Sequence, residues 1–268
     1  MPSIESRITP PDKPGPPGIC IYGRVGVGKT FLLGSMPNLW KLVGKDVGWG
    51  LVIDVPVVEG GTFVLADHAG VDVDILKIQK WDELDEAFKF LKGSNHKYKW
   101  GAIDTVSATQ ELAKRKVVRE RDLSSDPHQI TQPEWGKVGM FNAEMVWKFR
   151  MLPMPMVFNA HEKIRADELT GGKECLPELS PASIPALLRP MTLVGRLFMA
   201  EIIGETSNTW ERRLWVGPNN TFVTKTRAVP GRELPEVIRN PNLGQIVGYL
   251  LGLPGIERPE GAEMGLTI

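Results

Sequence analysis

The chain alternates short, nearly continuous apolar runs with longer stretches in which apolar residues recur at every third or fourth position. Ile19-Cys20-Ile21-Tyr22, Leu51-Val52-Ile53, Ile75-Leu76-Lys77-Ile78, Tyr98 to Thr105 and Met154 to Ala160 are of the first kind and read as strands. Between them, Trp81 to Lys92 carries Leu84, Ala87, Phe88 and Leu91 at helical spacing until Gly93-Ser94-Asn95 breaks it. Val106 to about Arg121 and Glu134 to Leu152 predict two long helices, separated by a loop with Ser124-Ser125-Asp126-Pro127. A short helix after the first strand ends at Pro37, and Leu243 to Leu253 makes a last one. Strands alternating with helices predict an α/β fold with a mostly parallel sheet and helices on both faces.

The pattern changes after the fourth long apolar run. Arg165 to Pro177, with Thr170-Gly171-Gly172-Lys173 in its middle, shows no core periodicity and predicts a mobile loop. Arg196 to Gly204, Trp210 to Val216 and Thr221 to Thr226 are β-like and joined by turn-forming residues, which predicts a C-terminal antiparallel meander. Residues 1–18 hold six prolines without periodicity and predict a flexible arm; residues 19–253 form one domain, and 254–268 a flexible tail.

Composition narrows the picture only a little. Among 268 residues, 32 basic and 32 acidic side chains balance, so charge argues neither for nor against a nucleic-acid partner. Cys20 and Cys175 lie far apart and predict reduced, incidental thiols and no disulfide framework. No apolar run approaches the roughly 18 residues of a membrane span, and the N-terminus has no hydrophobic signal region, so no membrane partner and a cytoplasmic location are expected.

The chemistry concentrates in Gly23-Arg24-Val25-Gly26-Val27-Gly28-Lys29-Thr30, which follows an apolar strand and precedes Phe31-Leu32-Leu33. The spacing G-x-x-x-x-G-K-T is that of a phosphate-binding loop. Glycines clear side chains from around a polyphosphate, so backbone N–H groups can turn inward as an anion nest. Lys29 is placed for the terminal phosphates and the Thr30 hydroxyl for Mg²⁺, giving Gly23 to Phe31 as the ATP-binding stretch. Downstream, Asp104 ends an apolar strand, where phosphate-loop hydrolases keep a magnesium carboxylate. Glu59, beside Gly60-Gly61, lies just past the second strand, at the edge where open α/β sheets bind ligands. His161, after the fourth long strand, reaches the same edge, where a polar group would sense the γ-phosphate. The basic run Lys114, Arg115, Lys116, Arg119, Arg121 reads as a solvated helix face diluted by Glu111 and Glu120.

Taken together, Gly23 to Thr30, Glu59-Gly60-Gly61-Thr62, Tyr98 to Thr105, Trp135-Gly136, Phe158 to Lys163 and Thr224-Lys225-Thr226-Arg227 resemble the phage-encoded RecA-like P-loop ATPases of the Sak4 type, which act in single-strand annealing and recombination. The resemblance runs from about Ile19 to Leu253 and implies a RecA-like core with ATP and Mg²⁺ as cofactors. It implies Lys29 and Thr30 on phosphate and magnesium, Asp104 in the magnesium shell, Glu59 positioning water, and His161 as sensor. Lys225 and Arg227 are the basic pair such proteins extend into a neighbour's nucleotide, which implies a homo-oligomeric ring or filament. It further implies single-stranded DNA and a single-strand binding protein as partners, in a bacterial host's cytoplasm. One departure stands out: Val55-Pro56-Val57-Val58 separates Asp54 from Glu59, so either carboxylate fits the catalytic position. A competing reading is a nucleotide-dependent assembly or scaffold protein without DNA binding, which the neutral net charge suits.

Overall fold

The computed structural model describes residues 15–55, 61–66, 72–121, 129–166, 172–203 and 207–262. In chain order its elements are β1 (Gly18–Gly23), α1 (Lys29–Leu33), α2 (Asn38–Leu42), β2 (Gly50–Asp54), a 3-10 turn (Gly61–Leu65), β3 (Val73–Lys77), α3 (Trp81–Lys92), β4 (Trp100–Asp104), α4 (Val106–Arg121) and α5 (Gln132–Arg150). They continue with β5 (Met156–Ala166), β6 (Lys173–Pro177), α6 (Ser183–Leu188), β7 (Leu193–Ile202), β8 (Thr209–Trp215), β9 (Lys225–Thr226), β10 (Val237–Arg239) and α7 (Leu243–Leu250).

The strand order is β10-β8-β7-β1-β5-β4-β2-β3, with β6 added to β5 and β9 to β7. From β7 through β3 every neighbouring pair is parallel; β8, β9 and β10 attach antiparallel to their neighbours. Burial on both faces explains why β1, β2 and β4 are nearly unbroken apolar runs. Their side chains alternate between two cores. Ile19, Ile21, Val52, Trp100 and Ala102 pack with Leu33, Leu39, Ile246 and Val247 under α1, α2 and α7. Cys20, Tyr22, Leu51, Ile53 and Ile103 pack with Leu84, Leu112, Phe149 and Leu187 under α3, α4, α5 and α6. Local signals set the long helices. The Glu83 carboxylate accepts from the Gln79 and Lys80 amides ahead of α3, and the Glu134 carboxylate accepts from the Thr131 amide at 2.7 Å ahead of α5.

The mixed α/β fold, the mostly parallel sheet and the helices on both faces are as expected, and so are the spans of α3 and α4. Four local expectations need correction. The segment expected as a mobile loop is largely a β-hairpin: β5 continues to Ala166 and pairs with β6, with Arg165 opposite Glu174. Among its described residues only Cys175, Leu176 and Pro177 are buried, too short a run to show a period, so backbone pairing rather than periodicity defines the segment. In the expected meander, β7 and β8 pair from Arg196↔Trp215 to Ile202↔Thr209, but the third segment returns to β7 beside Leu193 and Val194 instead of pairing with β8. Part of the expected tail is packed: Ile256 is 4% exposed, Gly261 bridges to Ile238, and the Ala262 amide donates to the Val237 carbonyl at 2.8 Å. In the expected arm, residues 1–14 lie outside the described ones, while the Pro17 carbonyl accepts from the Met156 amide and Gly18 opens β1.

The face under α7 allows one sharp test. A Cβ built on Gly244 would lie 2.3 Å from the Leu39 amide nitrogen, because α7 crosses α2 with backbones almost touching. Gly244→Ala should therefore cost about 1–3 kcal/mol through forced separation, although alanine favours helix. Urea unfolding checks this, and an unchanged or raised midpoint would show that the two helices are not held at that distance.

Candidate nucleotide site

The phosphate loop leaves β1 at Gly23, whose Cα carries no side chain because a Cβ there would lie 2.3 Å from the Leu197 carbonyl oxygen. Gly26 and Gly28 hold φ of 81° and 90°, left-handed values that cost L-residues and that the inward-turning loop requires. Lys29 follows, only 6% exposed, and its Nζ donates to the Gly23 and Arg24 carbonyls at 3.0 and 2.9 Å. The ammonium is thus pre-placed across the loop mouth.

A cleft of about 530 Å³ opens over this loop, within the range of small-molecule sites. It is lined by Gly26, Lys29, Thr30, Asp54, Asp104 and His161, and by the 3-10 turn, α4 and Glu178. The central contact is between Thr30 and Asp104: the hydroxyl donates to the carboxylate Oδ2 at 2.6 Å. β5 lies between the two strands involved, and from it Asn159 Nδ2 donates to Asp104 Oδ1 at 3.2 Å. Asp54 stands in register with Asp104 on the adjacent strand and accepts from Thr62 Oγ1 at 2.9 Å. His161 lines the cleft, its amide donating to Ser107 Oγ at 3.1 Å.

Burial dominates the electrostatics. It pushes the Asp104 carboxyl up against the hydrogen bonds from Thr30 and Asn159, which favour the charged form. It also pushes Asp54 up, and the negative Asp104 beside it adds to the effect while Thr62 opposes it. Two buried carboxylates, Asp104 bonded to the Thr30 hydroxyl and Asp54 to the Thr62 hydroxyl, form a hard-oxygen set short of positive charge, which fits a Mg²⁺ ion sharing its shell with a substrate's phosphates. Thr30 and Asp104 are the residues to hold it.

The sequence-predicted site divides three ways. Gly23 to Phe31, Asp104 and His161 come together at this cleft. Glu59 lies outside the described residues. Lys225 and Arg227 do not join them: β9 pairs with Leu193 and Val194, and Leu193 is level with Ile19, at the end of β1 away from the loop. There Lys225 Nζ donates to the Leu188 and Arg189 carbonyls at 3.1 and 2.6 Å, so the end of α6 supplies part of the negative charge that the pair of cations calls for.

Four sets of contacts at the site escaped sequence reasoning. Asn159 is fully buried inside an apolar strand, and that lone polar residue was the available signal. Thr62 and Asp54 become partners only through the turn that follows β2. Arg212, from the distant β8, donates to the Val27 carbonyl at 3.1 Å and lies 4.6 Å over the Phe31 ring. Glu162, with 4% of its side chain exposed, holds Arg196 at 2.8 Å and the loop's Arg24 at 3.4 Å.

A phosphate loop at the end of a central parallel strand, bonded through its threonine to an aspartate two strands away, defines a P-loop nucleoside-triphosphatase fold. The AAA domain family model matches residues 16–228, and the chain belongs to that family. No curated protein matches the chain. No helix among the described residues is long and apolar enough to cross a membrane.

The raised carboxyls give a signed prediction. A buried carboxyl whose folded value lies above its unfolded one makes the native state bind more protons across that interval, so stability falls as pH rises through it. Asp104→Asn removes that charge yet can still accept from Asn159 and donate to Thr30. The variant should melt higher than the parent at neutral pH without nucleotide, with a flatter pH dependence, and should bind magnesium nucleotide more weakly. Calorimetric melts across pH check it; a lower melting point would show that the Asp104 charge stabilises the empty fold.

Proposed function

We propose that this protein is a RecA-like ATPase that hydrolyses Mg²⁺–ATP and acts with single-stranded DNA in phage recombination or annealing, as the Sak4-type resemblance implies. The observation that carries the ATPase reading is the 2.6 Å hydrogen bond from Thr30 to Asp104, which sets the magnesium hydroxyl and carboxylate side by side at the phosphate loop. Lys29 binds the β- and γ-phosphates, exchanging its bonds to the Gly23 and Arg24 carbonyls for phosphate oxygens. The loop amides surround the anion, and the 3-10 turn and α4 wall the cleft from water. Magnesium, held by Thr30 and Asp104 when bound, would offset the negative charge of the β- and γ-phosphates. A carboxylate orients the attacking water and takes its proton: Glu59 by the resemblance, or Asp54, whose register with Asp104 sets it in the cleft. Asn159 and His161, level on β5 with Asp104 and Gly23, would sense the γ-phosphate.

The DNA step rests on the resemblance and on the β5–β6 hairpin, which presents Arg165 and Lys173 to solvent. Lys163 is less available, since its Nζ donates to the Leu179 carbonyl. Steady-state ATPase measured with and without single-stranded DNA tests the whole reading. Turnover should rise with DNA; turnover present but indifferent to DNA would favour a nucleotide-dependent scaffold. Lys29→Ala should lose ATP binding in a calorimetric titration. Glu59→Gln should keep binding and lose turnover by roughly 10²–10⁴-fold, the usual worth of a general base. Full turnover in Glu59→Gln, with the loss in Asp54→Asn instead, would move the role to Asp54.

We propose that Lys225 and Arg227, which lie away from their own phosphate loop, serve another subunit's nucleotide, as the resemblance implies. Mixing Arg227→Ala with Lys29→Ala protein should then restore part of the activity lost in each, because a sound loop meets a sound finger at some interfaces. A strictly monomeric protein with no recovery on mixing would remove the trans role.

A further inference from the structure

A second cleft, of about 520 Å³, lies where β3 ends and α3 begins, walled on its other side by α4. Four cations, Lys80, Arg115, Lys116 and Arg119, line it against two carboxylates, Asp82 and Glu120. Both carboxylates are already engaged by one of the four: Lys116 Nζ bonds to Asp82 and lies 3.9 Å from Glu120. Among the described residues Lys80, Arg115 and Arg119 form no ion pair and are exposed. The other basic residues of α4 are used differently. Lys114 is bonded to Glu111 and sits 5.5 Å over the Trp135 ring, and Arg121 pairs with Glu134 at 3.1 Å. The basic run therefore sorts by face: Lys114 and Arg121, turned toward α5, are neutralised within the fold, whereas of the α4 cations lining this cleft only Lys116 is.

Arg115 and Arg119 are one helical turn apart, about 6 Å along the axis, where like charges oppose each other. Lys80 adds a third charge from the facing wall. The floor is Ile78, Trp81 and Leu112, whose side chains offer the cations no acceptor. Cations set in a row along an open trough match a linear polyanion better than a compact one, which would need them to converge. The helix that carries them begins two residues after Asp104, so the trough and the magnesium carboxylate belong to one continuous segment.

We propose that this trough binds the phosphodiester backbone of single-stranded nucleic acid, with Lys80, Arg115 and Arg119 on its phosphates. It rests on the DNA reading above and adds a location that the β5–β6 hairpin does not supply. Backbone neutralisation needs no base readout, so the contact is sequence-tolerant and salt-dependent.

The test uses the full chain, a fluorescently labelled oligothymidylate, and anisotropy titrations over a series of salt concentrations. Arg115→Gln/Arg119→Gln keeps helix-forming side chains and touches no residue of the nucleotide cleft, so its ATP binding by calorimetry should equal the parent's. Its affinity for the oligonucleotide should fall roughly tenfold or more at low salt, and its log–log salt slope should flatten by about 1.4, the sum for two phosphate contacts on a single strand. Arg165→Gln/Lys173→Gln serves as the comparison on the hairpin. Parent-like affinity and slope in the Arg115→Gln/Arg119→Gln protein, with loss only in the hairpin variant, would overturn the trough while leaving the DNA reading standing. No oligonucleotide binding by the parent, with ATP present, would overturn both. Displacement of the oligonucleotide by polyglutamate of equal charge with equal potency would assign the trough to an acidic protein surface instead.

Discussion

Two carboxylates end adjacent strands in register, both buried, and one of them is tied by a short hydrogen bond to the threonine of the phosphate loop. Negative charge packed this way is unfavourable in an empty protein, and burial accordingly pushes both carboxyls up from their ordinary values. The rest of the structure holds the arrangement in place. The parallel register aligns the strand ends, two apolar cores clamp the sheet from either side, and Asn159 between the strands donates to Asp104. Stability is thereby given up where magnesium nucleotide would restore it, a recurrent relation between strained sites and ligands.

The phosphate loop is joined to the remainder of the molecule on three sides. Thr30 ties it to β4, Arg212 ties its Val27 carbonyl to β8, and Arg24 meets the buried Glu162 at the foot of the β5–β6 hairpin. Glu162 also holds Arg196, whose guanidinium lies 4.4 Å from the Phe222 ring centroid. Lys29 bonds to the Gly23 and Arg24 carbonyls, so the residue that meets Glu162 through its side chain also holds the loop lysine through its backbone. α4 makes a similar link on the other side, since it starts two residues after Asp104 and carries Arg115 and Arg119 of the second trough.

What the sequence by itself determined is what depends on local spacing. The apolar runs named five parallel strands, most of them because strands covered on both faces leave few polar positions to interrupt them, and the half-exposed edge strand β3 through its short Ile75-Leu76 core. The phosphate loop was legible because its glycines, lysine and threonine act through a contiguous stretch of backbone. Asp104 was legible because it stands at a strand end. Tertiary structure alone decided the rest, since those features join residues far apart in the chain. The pairing of β6 with β5 and the return of β9 to β7 follow from strand neighbours that periodicity does not encode. Arg212 reaches the loop across 185 positions of sequence, and Asn159 reaches Asp104 across 55. The division of one basic helix into neutralised and unneutralised faces appears only when α5 and the β3–α3 connection take their places on opposite sides of it. Local physics names the pieces of a site, and long-range packing decides which of them meet.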